Sequence, residues 1–404
     1  MSKCRICYSK IKKIINFKKI ALVGNFLKNK NYQKKYKISL NYCLKCKHVQ
    51  ISEHLNPDLL FKKYLWETGI SKSNIFLIKN LLNILKKFRI NNKSKVLEIA
   101  SNDGSFIYNL KKKFKSFVIG IDPAKNLSKR ANSKNILTIN DYFNNNLSIK
   151  IKKKFDNFDF IFARNVVAHL KNPNDVFKGI ENLLKQNGIL ILEVPHLLNI
   201  INQNQYDSIF HEHIGFHSLK SIIDLCKRHK LKVFNVDTIN SQGGTIRCYI
   251  SKYKSKYKTS KNILKILKKE RNSKLFNNKK LESFKLKITE HSNSMNKLIK
   301  NLKIKKNKIS IYGASGKGQA LMQYCKIDNS LVDYVFDKSK LKQNLYTPGT
   351  NIKIIDPKYI KKNIVDYLLI LSWNLKNEIV EQEKDFQKKG GKFVIPFPKP
   401  KILK

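Results

Sequence analysis

Lys95-Val-Leu-Glu-Ile-Ala-Ser-Asn-Asp-Gly104 reads as an apolar strand that runs into a small-residue turn. Ser105-Phe-Ile-Tyr-Asn-Leu110 follows as the start of a helix. Together they form the first βα unit of a nucleotide-binding α/β sheet, in which a cofactor lies against the strand's carboxyl end. Val118-Ile-Gly-Ile-Asp122 is the second strand, with a carboxylate 24 residues after Glu98. A dinucleotide wants glycines where the backbone approaches a pyrophosphate. This loop offers Ala100, Asn102 and Gly104 instead, with Glu98 and Asp103 close by. Acidic groups repel a pyrophosphate and attract a sulfonium. S-adenosylmethionine (AdoMet) therefore leads, ahead of a dinucleotide and of a βα turn that binds nothing. Asp122 is then the candidate for the ribose hydroxyls.

A chain of 404 residues buries a large core and divides into two or three domains. No run of eighteen apolar residues is present, so no transmembrane segment is expected. Met1-Ser-Lys-Cys-Arg5 lacks the apolar stretch of a secretion signal, and the expected location is cytoplasmic. Lys and Arg number 82 against 28 Asp and Glu, a net charge of +54. A surface that reads nucleic acid is usually a local patch mixing Arg with aromatic rings. Here Lys is spread through every region beside Asn and Ile, so the bias reads as global composition. It predicts attraction to anionic substrates, to RNA during purification and to anionic membranes, without a functional nucleic-acid partner.

Residues 1–60 carry Cys4-x-x-Cys7 and Cys43-x-x-Cys46. Two such pairs supply four thiolates to a tetrahedral structural zinc with no position left for water. A redox pair and a nucleic-acid zinc ribbon are the lesser readings, and His48 reads as a solvated histidine or one that stands behind the ligands, ahead of a spare ligand. The 35 residues between the pairs carry short strand-like runs and are expected to be a long loop, with aromatic and apolar residues that can give it some structure. Residues 61–94 read as a helical connector, with Tyr64 and Trp66 either packing the zinc domain or walling the cofactor and substrate. From 95 to 250 strands and helices alternate, which predicts a largely parallel sheet. In it, Phe155 to Asn165 is a strand that delivers Asn165, and Asp141 and Tyr142 lie beside a plausible adenine pocket.

Tyr206-Asp-Ser-Ile-Phe-His-Glu-His-Ile-Gly-Phe-His-Ser218 places three histidines, a glutamate and an aspartate within thirteen residues. The zincin spacing is absent. An acid–base cluster is a better account than a second metal or polar packing, because histidine exchanges protons near neutral pH and a carboxylate sets its tautomer. Ser241-Gln-Gly-Gly-Thr-Ile-Arg247 supplies backbone donors, a hydroxyl and a cation for a polar substrate, or is an ordinary glycine turn. Residues 251–305 read as a Lys-rich helical connector with solvated faces. Residues 306–404 start a second α/β unit at Lys308-Ile-Ser-Ile-Tyr-Gly-Ala-Ser-Gly-Lys-Gly318, whose helix N-terminus suits an anion. This unit binds the phosphates or base of a nucleotide-linked substrate, or only packs as a sheet. Lys392 to Pro396 is expected to be its last strand.

The paired CxxC knuckles, Val96-Leu-Glu-Ile-Ala-Ser-Asn-Asp-Gly104, Gly120-Ile-Asp-Pro-Ala124, Asn165-Val-Val-Ala-His169, His211-Glu-His213, Gly243-Gly-Thr-Ile-Arg247 and Tyr312-Gly-Ala-Ser-Gly-Lys-Gly318 occur in this order along nearly the whole chain. In that order and combination the chain resembles the bacterial sugar C-methyltransferases that act on nucleotide-linked keto-deoxysugars. The resemblance implies an α/β protein with a small N-terminal zinc-binding domain, a central Rossmann-like AdoMet domain and a second, Rossmann-like C-terminal domain. His213 matches the family's catalytic base and Glu212 its acidic partner. The cofactor candidates are Glu98, Ala100, Asn102, Gly104, Asp122, Asp141, Tyr142 and Asn165. The substrate candidates are Tyr64, Trp66, His169, Tyr206, Phe210, His211, His217, Gly243, Gly244, Thr245, Arg247, Tyr312 and Lys317. The family usually has Tyr where this chain has Phe210, and His where it has Gln242; it also commonly has Tyr within the segment that here reads Ile214 to Ser218. His217 and Tyr206 are the groups considered as replacements.

Carbon has no lone pair with which to attack a sulfonium methyl, and a neighbouring ketone removes that obstacle. His213 is expected to take the C3 proton of a 4-keto-6-deoxysugar, leaving a nucleophilic enolate carbon, with Glu212 orienting or supporting it. The alternatives are O- or N-methylation of a sugar or related small molecule, and a non-catalytic nucleotide-sugar or RNA-binding protein.

Overall fold

The computed structural model describes residues 3–70, 72–361 and 365–403. Between the cysteine pairs lies a sheet. β1 (Ile11–Ala21) and β2 (Lys35–Cys43) form an antiparallel hairpin, followed by β3 (Val49–Ile51). The expected long loop is thus strand for much of its length. Ile15, Phe17 and Ile20 on β1 and Ile38 and Leu40 on β2 are buried, so the hairpin has an apolar face to place against something else. Its core partners come from the far end of the chain.

The central domain contains β4 (Lys95–Ile99), β5 (Phe117–Ile121), β6 (Thr138–Ile139), β7 (Phe158–Arg164), β8 (Leu184–Pro195), the short β9 (Gly215–Phe216), β10 (Leu231–Ile239) and β11 (Thr245–Lys252). The main sheet runs β10-β11-β8-β7-β4-β5-β6. The five strands from β8 to β6 are parallel and buried on both faces, hence their near-continuous Val, Leu, Ile and Phe. β10 and β11 add an antiparallel edge. β9 leaves this sheet and pairs with β3. A strand two residues beyond His213 thereby belongs to the zinc-binding sheet.

The C-terminal domain is a second mostly parallel sheet of β12 (Ile309–Tyr312), β13 (Tyr334–Phe336), β14 (Lys353–Ile355), β15 (Tyr367–Ile370), β16 (Lys392–Ile395) and β17 (Lys401–Leu403), ordered β14-β13-β12-β15-β16-β17. The expected last strand, β16, is followed by β17, which folds back antiparallel on it. The helix Asn278–Ile304 is more than a solvated connector. Leu281, Phe284, Ile288, His291, Met295, Ile299 and Leu302 make a buried stripe at helical spacing. That stripe joins Ile38 and Leu40, Tyr206 and Phe210, and Ile309 and Leu369 in one apolar cluster. The N-terminal sheet, the histidine-rich segment and the C-terminal sheet therefore share a core.

Candidate active site

At the carboxyl end of β4 the loop turns by left-handed residues: Ala100 and Asn102 at φ 55° and Gly104 at φ 71°. Gly104 is needed there, since a Cβ would also lie 3.0 Å from the Ala131 Cβ. Asp122, just past β5, accepts from Asn102 N at 2.7 Å and from Ala124 N at 2.9 Å. It is buried and has no cationic partner among the described residues. Glu98 stands differently, because Arg164 forms a 2.7 Å ion pair with it. Burial raises Glu98 to about 7 despite that cation.

The connector before the domain lies across this loop as a strap. Asn102 Nδ2 donates to Trp66 O at 3.1 Å, and Asn102 Oδ1 accepts from Thr68 N at 3.0 Å. Asn126 exchanges two hydrogen bonds with the Tyr64 backbone, Glu67 pairs with Arg130, and the Tyr142 hydroxyl donates to Asp58 at 3.0 Å. Tyr64 is half-buried with its hydroxyl in the site, whereas the Trp66 side chain is exposed and contributes its carbonyl. Asp141 is exposed at the end of β6.

The strap ends at the histidine cluster, where the Tyr64 hydroxyl donates to Glu212 Oε2 at 3.1 Å. Gly24, in the turn after β1, comes so close that a Cβ would lie 3.2 Å from Glu212 Oε1. His213 Nδ1 is 2.7 Å from the Ser208 carbonyl. A carbonyl only accepts, so Nδ1 carries the proton and Nε2 the lone pair. The His169 and Phe210 rings stand 4.9 Å and 4.2 Å from that of His213, and His169 Nδ1 donates to Glu212 O at 2.8 Å. Burial, then the neighbouring His169, holds His213 well below the usual histidine range. Burial also raises Glu212 to about 7, against the Tyr64 hydroxyl and the Lys342 charge, which favour the anion. The arrangement is a neutral imidazole base beside a carboxyl group that ionises near neutrality.

Sequence models of three families match in succession: a zinc binding domain over residues 4–61, a methyltransferase domain over 73–236 and a C-methyltransferase C-terminal domain over 240–398. The C-methyltransferase NovU of Streptomyces niveus is 26% identical over 408 residues, spanning 100% of this chain and 97% of that protein. The chain belongs to the AdoMet-dependent C-methyltransferases. A phosphoethanolamine N-methyltransferase of Plasmodium falciparum (isolate 3D7) is 31% identical over 119 residues, covering 27% of this chain and 42% of that protein. Among solved structures, the magnesium protoporphyrin IX methyltransferase of Synechocystis PCC 6803 with bound SAH is 10% identical, with 46% of this chain and 90% of that one covered at a TM-score of 0.36.

In this C-methyltransferase the four cysteines converge. The Cys4–Cys46 and Cys7–Cys43 sulfurs are each 3.4 Å apart, and all four lie within 4.8 Å of one another. Tetrahedral zinc with Zn–S of about 2.3 Å places sulfurs about 3.8 Å apart, so the set fits that ion. His48 stands outside the cluster, its ring 4.7 Å from that of His217.

Several substrate candidates lie away from His213. His211 packs edge-on to Tyr36 of the N-terminal sheet. His217 faces His48, and the Tyr206 hydroxyl sits between His291 Nδ1 and Cys325 Sγ at 2.9 Å and 3.2 Å, so neither replaces a hydroxyl at Phe210. Arg247 is 2% exposed and ion-paired to Glu193 at 2.6 Å. Tyr312 is buried in the C-terminal sheet. Thr245 caps its own turn by donating to Ser241 O at 3.0 Å.

The glycine turn does reach the site. A Cβ on Gly243 would lie 2.7 Å from the Trp373 ring, a Cβ on Gly244 1.9 Å from Asn199 Nδ2, and the Gln242 carbonyl accepts from Lys317 Nζ at 2.8 Å. Asp207, the aspartate of the acid–base cluster, accepts a 2.7 Å bond at Oδ2 from Nε1 of Trp373, a residue to which the sequence alone assigns no role. The available signal for Trp373 was its place just past the carboxyl end of β15, where α/β sheets put their ligands.

Proposed function

We propose that this C-methyltransferase methylates C3 of a nucleotide-linked 4-keto-6-deoxysugar. The observation that carries this reading is the neutral His213, with its Nε2 lone pair free and the Glu212 carboxyl beside it, at the meeting of the methyltransferase and C-terminal sheets. His213 Nε2 removes the α-proton. The C–H electron pair becomes the enolate double bond, and the carbonyl pair moves onto oxygen. Glu212, ionised, offsets the imidazolium that results and is itself oriented by Tyr64. Bound AdoMet supplies the electrophilic sulfonium methyl that the carbon takes, leaving as S-adenosylhomocysteine. Asp122 holds the ribose hydroxyls, the Ala100–Gly104 loop the amino-acid end, and Asp141 and Tyr142 flank the adenine. Zinc keeps the N-terminal sheet folded and takes no part in the chemistry.

The test is mass spectrometry of the purified protein with AdoMet and nucleotide-linked 4-keto-deoxysugars, each beside its 4-hydroxy counterpart, in deuterated water. Methyl gain at carbon with the ketones alone, abolished together with α-proton exchange in His213→Ala, is the expected result. Methyl gain on the 4-hydroxy compounds would instead make the enzyme an O-methyltransferase.

A further inference from the structure

Proton removal next to a ketone puts negative charge on an oxygen, and an enzyme that lowers that barrier aims a donor at it. The polar groups around His213 are mostly committed. The Tyr64 hydroxyl donates to Glu212, Trp373 Nε1 to Asp207, and His169 Nδ1 to the Glu212 carbonyl. Phe210, whose ring lies against His213, has no hydroxyl.

Lys317 is the charged exception. Its ammonium has three donors, and the Gln242 carbonyl takes one at 2.8 Å. The side chain is 8% exposed, an unusual place for a lysine. It sits in the first turn of the helix Gly316–Tyr324. At Gly316 that helix comes so near the catalytic segment that a Cβ would lie 3.5 Å from Phe210 Cζ. Across from it, fully buried Asp207 uses Oδ2 for Trp373, while its Oδ1 is paired with no side chain among the described residues. The charges of Lys317 and Asp207 attract, and that of Lys317 also acts on His213. The next residue, Ser208, holds His213 by its carbonyl and leaves its own buried hydroxyl without a partner among the described residues. A buried cation with donors to spare, a carboxylate oxygen and a hydroxyl thus stand around the base with fewer partners than they need. Burial is costly for such groups unless a polar ligand completes them.

We propose that Lys317 donates to the enolate oxygen formed when His213 takes the proton, with Asp207 as its positioning residue. The ammonium keeps its proton throughout. Its hydrogen bond strengthens as the carbonyl pair moves onto oxygen and relaxes when that pair returns on methyl transfer. This role rests on the C-methylation reading above.

The experiment compares Lys317→Met, Lys317→Gln and Lys317→Arg with the full-length wild type. Readouts are deuterium wash-in at the α-carbon with S-adenosylhomocysteine bound, methyl-transfer kcat, AdoMet Kd and thermal stability. The Gln variant retains a donor for the Gln242 carbonyl and guards against loss of fold. Both neutral variants are expected to lose about 10²–10³-fold in wash-in and kcat together, with AdoMet Kd within about twofold and partial recovery in Lys317→Arg. A folded Lys317→Gln whose wash-in and kcat stay within about threefold of wild type overturns the proposal, as does a rise in sugar KM alone, which would mark a ground-state clamp. Methyl transfer by the wild type without any wash-in would instead overturn C-methylation, and the role of Lys317 with it.

Discussion

Glu212 has two effects that move in opposite directions with pH. Its carboxyl group is raised to about 7, from an ordinary value near 4.5, because it is buried. Between those values the folded chain holds a proton that the unfolded chain has released, so stability falls as pH rises through 7. Glu212→Gln removes that penalty and should gain about 3 kcal/mol relative to wild type between pH 4.5 and pH 9, measured by urea unfolding at each pH. Catalysis runs the other way, because only the ionised carboxylate offsets an imidazolium. The wild-type kcat/KM should therefore rise with pH to an inflection near 7, since His213 ionises well below it. Glu212→Gln should be slower by about 10–100-fold and lack the inflection. An inflection that survives the substitution would assign it to another group.

At the scale of strands, the main sheet carries a row of alternating charge. Asp237 on β10, Arg247 on β11, Glu193 on β8 and Arg164 on β7 are register neighbours, and Arg164 pairs onward with Glu98 on β4. This row is why an arginine that looks like a substrate ligand in Gly243-Gly-Thr-Ile-Arg247 ends under the sheet, with two of its nitrogens on one Glu193 oxygen. Removing one partner strands the other as a buried charge. Arg247→Met is expected to cost about 3–5 kcal/mol in unfolding free energy, and Arg247→Met with Glu193→Leu to recover most of it. Methyl-transfer kcat of the folded fraction should change by less than about threefold. A large loss of kcat with stability intact would return Arg247 to the substrate.

Across the whole molecule, the zinc knuckle and the proposed base, His213, are mechanically joined. Cys43 and Cys46 flank the turn into β3, β3 pairs with β9, and β9 begins two residues after His213. Structural zinc contributes folding free energy directly. Chelating one equivalent should melt the N-terminal sheet in circular dichroism and lower methyl transfer by at least about tenfold, both reversed by added zinc. Full activity in the metal-free protein would separate the two. Among the described residues no helix is long and apolar enough to cross a membrane.

Short-range pattern made much of this protein legible from its sequence. Alternation of apolar strands and helices at 95–121 and 158–194, the strand and glycine-opened helix at 309–324, and the two CxxC spacings depend on residues a few positions apart, where backbone geometry dictates the outcome. The histidine-rich segment 206–218 stood out for the same reason, and the family resemblance pointed to His213 and Glu212 within it. The hairpin inside the cysteine loop and the return strand β17 were harder to see, because a strand is defined by a partner as well as by its own residues. What only the tertiary structure decided is which faces meet. Tyr64 meets Glu212 across 148 positions and Trp373 meets Asp207 across 166. Arg247 is drawn to Glu193, and Lys317 of the C-terminal domain reaches the Gln242 carbonyl of the central one. These contacts follow from packing three apolar surfaces into one core. Charge and polarity along the chain name the groups available for chemistry, and the packing determines which of them reach the same place.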